Sequence, residues 1–197
     1  MAMSDHHDDA VLSRQVRLLE TLLEDKGIVG GDTVDEVIDG FLAGASLLNG
    51  AKVVARAWSD PAFKERLLTD GASAVAELGF ASGGVQKQRL RVAENTESVH
   101  NVIVCTLCSC YPLRLLGPSP GWYKSEAYRS RVVREPLVVL GEFGVSLPDG
   151  VKVTVWDSSA ETRYMVLPRR PDGTEGLSEG ELAALVTRNG LIGTALV

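Results

Sequence analysis

The spacing of apolar residues changes character near Ala81-Ser82-Gly83-Gly84, and that change limits what the chain can fold into. Before it the pattern is helical. Residues 10–26, AVLSRQVRLLETLLEDK, place Val11, Val16, Leu19, Leu22 and Leu23 near helical spacing, with Gly27 as a stop. Asp32 or Thr33 caps a second helix to about residue 48, with Asn49-Gly50 as the break. Residues 51–58 form a third, Asp60-Pro61 opens a fourth through FKERLL, and ASAVAELG is a fifth. After the junction, β-branched or alternating runs at 88–93, 99–104, 151–156 and 163–167 predict strands, and 124–143 and 178–188 predict helices. No internal repeat or low-complexity segment interrupts the pattern. The expected fold class is α+β: a helical N-terminal arm, residues 1–84, followed by a layered α/β domain, residues 85–197, that carries the cysteine loop.

Composition narrows the function classes. A net charge of −6 and scattered basic residues argue against nucleic acid as a partner, since phosphate binders cluster their cations. No apolar run approaches the length that spans a bilayer, so no membrane partner is expected. The opening MAMSDHHDDAVL is polar and acidic, unlike a secretory signal, and the cytoplasm is the expected location.

All three cysteines, Cys105, Cys108 and Cys110, fall in V-C-T-L-C-S-C at 104–110. An odd, clustered set does not suit a disulfide framework. Buried cysteines are common as small hydrophobes, but three such close neighbours need another reason. A redox pair Cys105/Cys108 would face competition from the third thiol. Zinc asks for four ligands in a tetrahedron, and the nearest nitrogen is His100, roughly 16 Å away along an extended strand. His100 reads better as a surface or packing residue. Iron–sulfur clusters usually take four cysteines, and a fourth is missing. The remaining reading uses the backbone. In Cys108-Ser109-Cys110 two thiolates flank the peptide nitrogens of Ser109 and Cys110. With both amides deprotonated, one ion closes three fused chelate rings in an N2S2 plane. Such donors suit a trivalent cobalt or iron better than zinc. Cys105 can then reach an axial position, and a sixth site is left for water or substrate.

These residues resemble the metal motif of the alpha subunit of nitrile hydratase in its cobalt form; iron members usually carry serine where Thr106 stands. The likeness covers most of the chain. It includes Gly50-Ala51-Lys52, Ala57-Trp58, Asp60-Pro61, Glu94-Asn95-Thr96, W-Y-K-S (122–125) and Y-R-S-R-V-V-R-E-P (128–136). It continues with V-W-D-S-S-A-E-T-R-Y (155–164), G-T-E-G (173–176) and L-V-T-R (185–188). The resemblance implies hydration of a small-molecule nitrile to its amide at a low-spin Co(III) centre, one per chain, with Fe(III) the less favoured ion. It implies a separate beta-type subunit as partner. Residues 85–197 would then be the metal-binding, catalytic domain. Cys105 would be the unmodified axial ligand, Cys108 a sulfinic acid and Cys110 a sulfenic acid, with the Ser109 and Cys110 amides completing the plane. Metal-bound, exposed thiolates do climb the oxidation ladder readily. Cys110, as sulfenate, and Gln86, near the metal in the family, are the implied catalytic residues. Asp157 and Glu161 resemble acids that stiffen the metal loop, and Thr106 is grouped with them around the ligands; by residue type alone the two acids are a solvated pair at a strand end.

The sequence also departs from the family. Where the family usually reads W-P-V-L-G-L-P-P, this chain has Leu113-Arg114-Leu115-Leu116-Gly117-Pro118-Ser119-Pro120. The tryptophan normally lines the substrate pocket, so Leu113 implies a wider cavity, unless a partner side chain fills it. T-R-N-G-L-I-G replaces the common T-R-D-S-L-I-G. A divergent branch of the family, such as toyocamycin nitrile hydratase with its bulky heteroaromatic substrate, is the implied relation. Two alternatives stay open. The gamma subunit of thiocyanate hydrolase resembles this family and bears the same motif, and a cobalt-carrying subunit inactive without its partner would share it too.

Overall fold

The computed structural model describes residues 5–80 and 88–197, in two compact units that divide between Ala43 and Gly44. The first holds α1 (Asp5–Asp25) and α2 (Thr33–Ala43). Gly27, at φ +64°, ends α1 with its N–H donating to the Glu24 carbonyl at 2.8 Å, in a conformation that glycine enters without a Cβ penalty.

The second unit opens with α3 (Leu47–Ser59), and here the structure corrects the sequence reading. Asn49-Gly50 does not break the chain but lies inside α3; the break is at 44–46. Ser46 caps α3, its hydroxyl accepting from the Leu48 amide at 3.1 Å, and Asn49 donates to the Gly44 and Arg114 carbonyls. Gly50 serves packing: a Cβ there would sit 2.7 Å from the Leu115 carbonyl oxygen. Asp60 and Asp70 cap α4 (Pro61–Thr69) and α5 (Gly71–Glu77), accepting from the Phe63 and Ser73 amides.

Strands β1 (Arg89–Glu94) and β2 (Val99–Val104) follow, then α6 (Leu113–Leu116), α7 (Gly121–Lys124), α8 (Glu126–Arg131) and α9 (Pro136–Glu142). The single helix expected over 124–143 is therefore interrupted. Pro136 excludes helical geometry from the residue before it, and Glu135 sits at φ −138°, ψ 57°. Then come β3 (Lys152–Asp157), β4 (Thr162–Leu167), α10 (Glu179–Leu185) and α11 (Arg188–Ile192).

Both strand pairs are parallel: β1 with β4, and β2 with β3. Parallel neighbours need long crossovers, and here α6–α9 make the crossover from β2 to β3. Their shared direction brings the C-terminal ends of β2 and β3 to one edge, with Val104 opposite Asp157. Val102, Ile103 and Val104 are buried with Met165, Val166 and Leu167. Val53 and Val54 of α3 and Phe63 and Leu67 of α4 complete this core, so these helices belong with the strands although their periodicity resembles that of the arm.

A buried polar knot fixes the start of β2. Asn95 Oδ1 accepts from the Asn101 amide at 2.7 Å, and Asn101 Oδ1 accepts from Trp156 Nε1 at 2.8 Å. His100 Nε2 lies 2.8 Å from the Gly193 carbonyl, and its Nδ1 is 3.3 Å from Asn95 Nδ2. His100 is thus an interior packing residue. Gly193 itself has φ +92° and lies so close to β2 that a Cβ would fall 2.0 Å from the Asn101 oxygen.

Candidate metal centre

The cysteine loop leaves the sheet directly at the end of β2. Cys105, the next residue, is buried like the strand before it, while Cys108 is exposed and Cys110 half-buried. The loop turns back on itself, and the Cys108 amide donates to Cys105 Sγ at 3.4 Å. Cys105 Sγ and Cys108 Sγ are 3.3 Å apart, Cys108 Sγ and Cys110 Sγ 3.2 Å, and all three lie within 4.8 Å of one another.

The three sulfurs are close enough for one ion to meet them all. The three sulfurs also perturb one another. Hydrogen bonds from Cys110, then Cys105, pull the Cys108 thiol down to about 7, giving it thiolate character near neutrality. Burial, together with the Cys108 sulfur beside it, pushes Cys110 up to about 12, against the pull of the Arg163 charge.

Four side chains outside the cysteines hold the loop. Asp157, opposite the last residue of β2, accepts from the Thr106 amide at 2.9 Å and from the Thr106 hydroxyl at 2.5 Å. Tyr128 donates to the Ile103 carbonyl at 2.8 Å, just before the loop, and Tyr123 to the Cys110 carbonyl at 3.0 Å, at its end. Arg129 Nη1 donates to the carbonyls of Thr106 and Cys108 at 3.5 and 3.4 Å. Tyr111 and Tyr123 pack edge to face at 5.0 Å beneath the loop, and burial raises the phenol of each far above its ordinary range.

The structure thus brings Cys105, Thr106, Cys108, Ser109, Cys110 and Asp157 together. Glu161 is not part of this cluster: its carboxylate accepts from the Ser159 hydroxyl at 2.9 Å, within its own turn, and has no hydrogen bond to the cysteine loop. Leu113, the first residue of α6, packs against the core, three positions past Cys110. Gln86 lies outside the described residues. Sequence reasoning missed Tyr123, Tyr128 and Arg129 as supports of the loop. The aromatic and basic run at 122–131 was visible, but nothing local tells which carbonyls its side chains meet.

A parallel-stranded α+β fold that gathers three thiols on one loop, with backbone amides between them, defines a protein built around a thiolate metal centre. The chain belongs to the nitrile hydratase alpha-chain family, whose model, "Nitrile hydratase, alpha chain", matches residues 10–195. It is 50% identical over 185 residues to the low-molecular weight cobalt-containing nitrile hydratase subunit alpha of Rhodococcus rhodochrous, covering 94% of this chain and 88% of that one. Against the cobalt-containing nitrile hydratase subunit alpha of Pseudonocardia thermophila, identity is 48%, over 96% of this chain and 93% of that one. Among solved structures, a double mutant of the Fe-type nitrile hydratase from Comamonas testosteroni Ni1 superimposes with a TM-score of 0.87 at 45% identity, covering 95% of this chain and 90% of that one.

Proposed function

We propose that this chain is the metal-carrying alpha subunit of a nitrile hydratase, adding water to a nitrile to give the amide. The observation that carries the reading is the sulfur cluster: three Sγ atoms at 3.2–3.3 Å steps on one loop, with the Ser109 and Cys110 amides between two of them. Cys105, Cys108 and Cys110 would hold the ion together with those two peptide nitrogens. Cobalt in its trivalent state is the favoured occupant, supported by the cobalt-containing relatives and by Thr106; the likeness to an Fe-type structure makes iron the alternative. Such an ion supplies Lewis acidity toward the nitrile and an acidified water.

The chain's own residues supply the rest. Asp157 and Thr106 fix the start of the loop against β3, and Tyr123 fixes its end, so the donors are held before any ligand arrives. Cys108, exposed and low in pKa, is suited to oxidation to a sulfinic acid, and Cys110, whose free thiol burial pushes up, would reach the sulfenic acid as a metal-bound thiolate. The oxygen gained by Cys110 would be a base or nucleophile beside the substrate, with Gln86 as a second catalytic group. Leu113 in place of an indole would leave room for a bulky heteroaromatic nitrile. A beta-type subunit is the expected partner. Supporting this, α1 and α2 leave Leu12, Leu18, Leu19, Val37 and Ile38 exposed, Val37 at 68%, a surface that usually seeks cover.

The test is elemental analysis with intact mass and turnover of the full chain co-expressed with its beta-type partner. About one cobalt per chain, added oxygens on the cysteine peptide and amide release are expected, with C108A losing the metal. Zinc, or a C108A chain that keeps its cobalt, would overturn the reading. Release of carbonyl sulfide from thiocyanate instead of amide from nitriles would favour the thiocyanate hydrolase gamma subunit, to which the chain is 45% identical over 158 residues.

A further inference from the structure

Every peptide nitrogen has a carbonyl oxygen in the same planar unit, and resonance couples the two. The unit containing the Ser109 nitrogen has the Cys108 carbonyl at its other end. Arg129 reaches that oxygen: its Nη1 donates to Cys108 O at 3.4 Å and to Thr106 O at 3.5 Å. Its Nε is buried and has no hydrogen-bond partner among the described residues, so one donor of the guanidinium stays unmatched while Nη1 reaches the loop. A cation placed this way needs a compensating anion, and two neutral carbonyls at these distances are weak partners for it.

We propose that Arg129 is a positioning residue for the Ser109 ligand nitrogen, holding the negative charge that spreads onto the Cys108 oxygen when that nitrogen binds a metal. The inference rests on the reading of the loop as an N2S2 centre. A nitrogen that gives its lone pair to an ion after losing its proton leaves the peptide an anion shared between N and O. At the oxygen, a hydrogen bond from a cation to a neutral carbonyl then becomes one between opposite charges, shorter and stronger. The guanidinium thereby favours the metal-bound form of this peptide over its free form, while touching neither the ion nor a sulfur.

The geometry separates this role from the others at the site. Arg163 is a second cation near the loop, but its charge acts on the Cys110 sulfur, and its guanidinium donates to the Ser159 carbonyl. Tyr123 donates to the carbonyl of Cys110, whose own peptide ends at the Tyr111 nitrogen, outside the ligand set. Asp157 holds Thr106 and carries negative charge, which would oppose rather than favour an anionic peptide. Of these four, Arg129 alone places a positive charge on the oxygen of a candidate ligand peptide. An arginine fits because two N–H bonds of one nitrogen can serve two carbonyls of one turn; the lysine ammonium brings charge on a shorter and less directional stem.

The test compares the full chain with R129Q and R129K after expression in cobalt medium, reading metal release into excess chelator and the sulfur-to-metal absorption band. Circular dichroism and the melting temperature of the metal-free forms control for folding. R129Q is expected to release cobalt about tenfold faster, with a shifted absorption band, because the donor facing the anionic oxygen has lost its positive charge. R129K is expected to recover a clear part of the loss. That dependence on charge is a readout a purely packing role would not move. An R129Q chain with the parent's release rate and spectrum overturns the proposal while leaving the N2S2 centre in place. R129K as damaging as R129Q also overturns it, and this comparison of R129K with the parent serves alone should R129Q not fold. Failure of the parent chain to take up cobalt overturns both the centre and the role of Arg129.

Discussion

The contact between Asp157 and Thr106 joins the cysteine loop to the sheet, and its removal has a calculable effect. One carboxylate oxygen accepts from the Thr106 amide at 2.9 Å and the other from the Thr106 hydroxyl at 2.5 Å. Hydrogen bonds to a charged group contribute about 1.5–3 kcal/mol each when shielded from water. Both of these are solvent-exposed, so about 1–2 kcal/mol for the pair is the appropriate scale after screening. Asp157→Ala should therefore lower the unfolding free energy of the metal-free chain by about that amount, and Thr106→Val by about half of it. The double mutant should cost less than the sum, with a coupling of about 0.5–1 kcal/mol, because only one partner is needed to break the hydroxyl contact. Urea denaturation of the four proteins measures the cycle, and hydrogen exchange of the Thr106 amide reports the backbone bond separately. Additivity within about 0.3 kcal/mol, with an unchanged Thr106 exchange rate in Asp157→Ala, would show that the loop is not held from β3.

Gly193→Ala should destabilise the chain by about 3 kcal/mol or more, since it combines φ +92° with a Cβ 2.0 Å from the Asn101 oxygen; thermal melting checks it, and a loss under about 1 kcal/mol would refute the close approach. Burial lowers the pKa of His100 below the ordinary 6.5, only partly offset by its bond to the Gly193 carbonyl, and no side-chain charge contributes to that shift. Below pH 6.5 the unfolded chain therefore takes up a proton that the folded chain resists, so stability falls as the pH drops through that value and is fully present above it. His100→Gln should flatten this acid-side slope in denaturation curves, and an unchanged slope would show that His100 does not titrate with folding. On the proposed placement of Leu113 in the substrate pocket, Leu113→Trp should shift kcat/KM away from bulky heteroaromatic nitriles toward small aliphatic ones, because an indole there would restore orientation for the smaller substrate; an unchanged ranking across a nitrile series would refute that placement.

Much of the fold was legible because its signals are local. The cap at Asp60 and the β-branched or alternating runs of β1–β4 follow from residue type within a few positions. Asn49-Gly50 misled for a physical reason. The pair has turn chemistry, but Asn49 spends its side chain on two carbonyls at the helix start, and Gly50 is small because Leu115 passes over it. Arg114, which supplies one of those carbonyls, is 65 positions away in sequence, and Leu115 lies beside it. The same separates the two halves of the site. The three thiols were readable from spacing alone, whereas Arg129 meets the loop across 21 positions and Asp157 across 51. Residue type marks Asp157 as an acid at a strand end; only the parallel register of β2 with β3 places it against Thr106. Glu161 carries the same kind of signal, yet its carboxylate turns to Ser159.

That parallel register also sets an order of events during synthesis. Thr106 and its anchor Asp157 are 51 residues apart, so the cysteines leave the ribosome well before the strand that secures them exists. At about 5–20 residues per second the interval is roughly 3–10 s. Throughout that time three neighbouring thiols are on a nascent segment with no β3 beside it, open to oxidants and to any thiophilic ion in the cell. A factor that shields those thiols or delivers their metal has its opening in that window, before β3 pairs and fixes Asp157 against the loop.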